Sequence, residues 1–65
     1  MNNTQKLIIK AGVRNLKEFG YPSVDDTNIL TDAVYAEFFR SMLKDNMGQG
    51  VDADLKAIEA MLPPK

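Results

Sequence analysis

Residues 28 to 43, Asn-Ile-Leu-Thr-Asp-Ala-Val-Tyr-Ala-Glu-Phe-Phe-Arg-Ser-Met-Leu, place Tyr35, Phe38 and Phe39 at helical spacing in a chain of 65 residues. They hold three of its five aromatic residues, so whatever this segment packs against decides the fold. A chain of this size hides only about 60% of its unfolded surface. Ordering costs roughly 1.5 kcal/mol per residue, close to what burial returns. Small domains offset that deficit with disulfides, metals, self-association or close helix packing. With no Cys and no His, neither a disulfide nor a structural zinc site is expected. Helix packing and self-association remain.

No stretch alternates with the period of a strand, and three segments follow the helical period instead. The expectation is a single all-α domain over residues 1–65: a small three-helix bundle with a short extra helical turn, associating with itself. The helices are expected at about residues 4–19, 31–46 and 52–62. Thr4 is a plausible N-cap, and Gly20 followed by Tyr21-Pro22 is a stop signal. Ser23 or Asp25 can cap the extra turn near Asp26–Ile29, with Ser23-x-x-Asp26 as a weak capping box. Asp32 suits the start of the central helix and Lys44 its end. Gly48 fits a left-handed cap, Asp52 an N-cap, and Pro63-Pro64 cannot continue the last helix.

The helical faces give the expected core: Ile8, Leu16, Phe19, Leu30, Val34, Phe38, Met42, Leu55, Ile58 and Leu62. On the first helix, Lys6, Lys10, Arg14 and Lys17 lie opposite the apolar arc, and Leu7 is an outlier on that charged side. On the central helix, Val34, Tyr35, Ala36, Phe38, Phe39, Met42 and Leu43 span about 200°, whereas a stripe facing one core need be little wider than about 100°. A middle helix that touches both neighbours would need so broad a face, which is one reading of it. The favoured reading is that part of the arc is a contact surface, with Val34, Phe38 and Met42 inward and Tyr35, Phe39 and Leu43 meeting a partner or a second copy.

Net charge is −1 but unevenly spread. Residues 1–20 carry four cations and one carboxylate, and residues 21–65 carry four and eight. This asymmetry suits head-to-tail association or an anionic partner. The spacing of Lys6, Lys10, Arg14 and Lys17 puts all four on one face, which reads first as solvated and second as a binding face for an anionic ligand, nucleotide or nucleic acid. No aromatic interleaves them to stack on bases, and the pI of about 5.1 is unlike that of a nucleic-acid-binding domain. A helix-turn-helix across Met47–Gly50 would aim Asp52, Asp54 and Glu59 at phosphates, which is repulsive.

Catalytic and cofactor chemistry finds little support. There is no phosphate-binding glycine loop and no nucleophile elbow. Asp25, Asp26, Asp52 and Asp54 fit helix caps better than a calcium loop. The expectation is no enzyme activity, no cofactor and no metal. Leu7-Ile8-Ile9 is too short for a secretory core, and no apolar run approaches the roughly 18 residues of a membrane span. A cytoplasmic protein is expected.

At Tyr21-Pro22-x-Val24, Asn28-Ile29-Leu30-Thr31-Asp32, Tyr35 and Phe38-Phe39-x-x-Met42-Leu43-x-Asp45-Asn46 the chain resembles small accessory proteins encoded by tailed phages and prophages. The resemblance covers roughly residues 14 to 50 and carries no catalytic or ligand residue across. It implies an accessory gene product that acts in the host cytoplasm by binding a host or partner protein.

Overall fold

The computed structural model describes residues 1–64. In order along the chain stand α1 (Asn3–Glu18), α2 (Asn28–Thr31), α3 (Ala33–Asp45) and α4 (Asp52–Met61), with no strand among the described residues. The expected all-α class is therefore found, and the expected extra turn is α2, lying two residues later than its predicted start.

Each boundary has a local cause. The N-cap of α1 is Asn2, not Thr4. Asn2 Oδ1 accepts the Gln5 amide N–H at 2.8 Å, and Gln5 Oε1 accepts that of Asn2 at 3.1 Å, forming a capping box. It ends in a Schellman motif: the Tyr21 N–H donates to the Leu16 carbonyl and that of Gly20 to Lys17. Gly20 takes φ 107° there, a conformation that penalises any residue with a Cβ.

The connection to α2 is tied by Asp25, whose Oδ1 accepts from Thr27 N–H at 2.8 Å and Asn28 N–H at 2.7 Å. Asn28 Oδ1 accepts from Asp25 N–H in return, at 2.8 Å. The reciprocal pair is thus Asp25 and Asn28, not Ser23 and Asp26. Asp32 caps α3 by accepting from Val34 N–H at 2.9 Å. Asp52 is the first residue of α4 and not its N-cap. Its Oδ1 reaches back to Gly48 N–H at 2.7 Å and closes the α3–α4 turn.

One apolar core joins the four helices: Ile9 and Leu16 of α1, Val24 of the connection, Ile29 of α2, Ala36, Phe39 and Leu43 of α3, and Leu55, Ile58 and Leu62 in and just after α4. Ile8, Leu30 and Met42 pack partly buried against it. Helices α1 and α3 come close because Gly12 has no side chain. A Cβ at Gly12 would sit 2.7 Å from the Phe39 ring and 3.1 Å from Ile29 Cδ1.

Polar contacts then fasten the two ends of the chain. Asp54 Oδ1 accepts from Asn2 Nδ2 at 2.9 Å and from Gln5 Nε2 at 3.1 Å, linking the start of α1 to the first turn of α4. Arg40 Nη2 donates to the Pro63 carbonyl at 2.6 Å, fixing the segment after α4 against α3.

Three expected core residues stand outside. Phe19 is 77% exposed, Val34 56% and Phe38 44%. Phe19 is the C-cap residue of α1 and the last in helical conformation before the chain turns at Gly20. The other two are displaced by rotation of α3, whose buried edge is Ala36, Phe39 and Leu43.

Candidate interaction surfaces

The rotation of α3 corrects the expected contact surface. Phe39 and Leu43 are each 1% exposed and lie in the core, so neither offers anything to a partner. The physical reason is Gly12: the gap it leaves on α1 admits the Phe39 ring, and filling that gap aligns α3 by its Ala36–Phe39–Leu43 edge. Tyr35 stays half-buried, its ring edge-on to Tyr21 with centroids 5.8 Å apart.

The exposed apolar edge of α3 is therefore Val34 and Phe38. The Phe38 ring leans on Tyr21 at a centroid separation of 5.4 Å, which holds a half-exposed aromatic in a defined orientation. Beside it runs an open groove of about 470 Å³, lined by Ala33, Val34, Glu37, Phe38, Arg40, Pro63 and Pro64. Arg40 shapes the groove. Its guanidinium holds the Pro63 carbonyl and also pairs with Glu37 at 3.5 Å, so the proline wall is tied to α3. The width of the apolar arc was the signal for a second surface. The missing information was which edge of it the core would take.

Lys6, Lys10, Arg14 and Lys17 are all exposed along α1, and none makes an ion pair among the described residues. Their first and last members are separated by about 16 Å along the helix axis, from a rise of about 1.5 Å per residue. Lys6 and Lys10 flank a shallow depression of about 210 Å³ with Ile9, Leu30 and Asp26, while Arg14 and Lys17 lie beyond it. Leu7 is 67% exposed on this same face.

A third opening, of about 260 Å³, lies between α1, α3 and the start of α4. Phe39, Leu43 and Leu55 form its floor and Asn15, Asn46 and Gln49 its rim. Among the described residues no polar or charged residue is buried. Among the described residues no group of three or more His, Cys, Asp or Glu is placed to hold a metal ion, and no helix is long and apolar enough to cross a membrane. Comparisons with protein-family models, curated proteins and solved structures found no match.

Proposed function

We propose that the protein is a non-enzymatic, all-helical protein–protein interaction module that docks through Val34, Phe38 and the Pro63–Pro64 wall. One observation carries this reading: Phe38, propped by Tyr21, stands half-exposed beside an apolar groove whose far wall is fixed by Arg40. A rigid aromatic beside a pocket is the usual anchor of a protein interface, because little side-chain entropy is lost when it is covered. The interior is apolar throughout the described residues, so it offers no sequestered acid, base or nucleophile. Self-association, as a dimer or larger, belongs to this proposal. So does the role implied by the resemblance, that of a phage-type accessory protein modulating a host or partner protein in the host cytoplasm.

The four unpaired cations of α1 favour a second reading, a binder of an anionic ligand such as a nucleotide or nucleic acid. Affinity capture separates the two. A partner retained by Lys10→Glu/Arg14→Glu and lost with Phe38→Asp supports the interaction module. A salt-sensitive ligand with the reverse pattern supports the anion binder.

A further inference from the structure

The outer faces of α1 and α3 differ in charge and match in apolar content. On α1, Leu7 stands 67% exposed, with Lys10 and Arg14 three and seven residues on, along its own ridge of the helix. Lys6 and Lys17 extend the cationic surface to one side, and Glu18 stands as a single carboxylate at the far end of the Leu7 ridge. On α3, Val34 and Phe38 are exposed in the same way, with Asp32 before them and Asp45 beyond, while Glu37 beside them is already paired with Arg40. Arg40 is drawn inward, its side chain only 13% exposed, which leaves Lys44 as the exposed cation of that helix. An apolar knob in a basic surround faces away from the core on one helix. An apolar ridge in an acidic surround does so on another.

We infer that the α1 face of one copy docks on the α3 face of a second copy, in a heterologous, head-to-tail contact. This rests on the docking face proposed above and names its occupant. Leu7 enters the groove beside Phe38, while Lys10 and Arg14, both on the C-terminal side of Leu7, run toward Asp45 of the second copy, seven residues beyond Phe38 as Arg14 is beyond Leu7. An isologous pairing of two α3 faces would set like carboxylates near each other, and a pairing of two α1 faces would oppose their four cations. The head-to-tail pairing avoids both and uses the separation of charge between residues 1–20 and 21–65. A docked pair keeps one free face of each kind, so the contact closes into a ring or extends as a chain. A foreign partner on the α3 face displaces the neighbouring copy.

Two deficient variants, mixed, give the test. Lys10→Glu/Arg14→Glu spoils the α1 face alone, and Phe38→Asp spoils the α3 face alone. Val34→Lys serves as a second α3 variant, since Val34 is exposed enough to carry a charge without burying it. Folding of all three is checked by far-UV circular dichroism. By light scattering from micromolar to millimolar concentration, the wild-type mass is expected to rise above 7.2 kDa without a plateau at the dimer. Each variant alone should stay monomeric, and an equimolar mixture should give a one-to-one heterodimer. Raising salt from 0.05 to 0.5 M should weaken wild-type association roughly tenfold, because screening shortens from about 14 to about 4 Å.

A wild-type mass fixed at 7.2 kDa overturns the inference. So does undiminished self-association of Lys10→Glu/Arg14→Glu together with monomeric Phe38→Asp and Val34→Lys. That second pattern leaves the α3 docking face standing as an isologous dimer. Self-association that survives both α3 variants removes the α3 face as well.

Discussion

Gly12 is the residue on which the packing of α1 against α3 turns. A glycine inside a helix costs about 1 kcal/mol relative to alanine, and this one returns that cost by letting Phe39 approach. In Gly12→Ala the new methyl would meet a ring that is 1% exposed and enclosed by the core. Overpacking of this kind costs roughly 1–3 kcal/mol, against at most about 1 kcal/mol of recovered helix propensity. Net destabilisation is therefore expected in urea denaturation, and Phe39→Leu in the same chain should relieve part of it. Additive effects of the two substitutions would show that the close contact does not matter. Asp25 is a smaller case. Asp25→Ala removes an acceptor from two backbone N–H groups and should lower stability by about 1 kcal/mol, read from the same denaturation curve.

At the scale of the element, α3 shows what periodicity conveys and what it leaves open. Its existence, its Asp32 start and the glycine turn after it were legible, because caps and breakers act locally. Which edge of its wide apolar arc faces inward was not. Phe38 and Phe39 are neighbours in sequence about 100° apart on the helix, and both lie within the arc. The deciding contact comes from Gly12, 27 positions earlier, and helical spacing within α3 carries no trace of it. The same limit explains the candidate site. Periodicity makes Tyr35, Phe39 and Leu43 the outward complement of a core edge at Val34, Phe38 and Met42, and the structure inverts that choice for Phe38 and Phe39. The basic face of α1 needed no such choice, since charge alone puts it in water. Phe39→Ala is accordingly expected to cost about 3–5 kcal/mol, and Phe38→Ala less than about 1.5 kcal/mol because its ring is half in solvent already. Equal losses in thermal denaturation would mean that α3 is rotated differently.

For the whole molecule, the Cα radius of gyration of 10.8 Å matches the roughly 10.7 Å expected of a folded domain of this length. The core is complete within one copy, so the exposed Val34, Phe38 and Leu7 are surplus to folding. Folding and association should therefore separate. Phe38→Asp is expected to abolish concentration dependence of the light-scattering mass while keeping most of the wild-type helicity. Loss of helicity in step with loss of association would instead mark a chain that folds only as an oligomer.

The link from Asp54 to Asn2 and Gln5 bears on the order in which the chain can be completed. Both side-chain amides that cap α1 donate a further hydrogen bond to a carboxylate about fifty positions downstream. During synthesis the cap can form early, but nothing holds the two amides in register until residue 54 has emerged. The first helix to be made is thus the last to be secured. Chains halted before α4 should exchange the amide protons of Gln5 and Lys6 faster than the finished protein does.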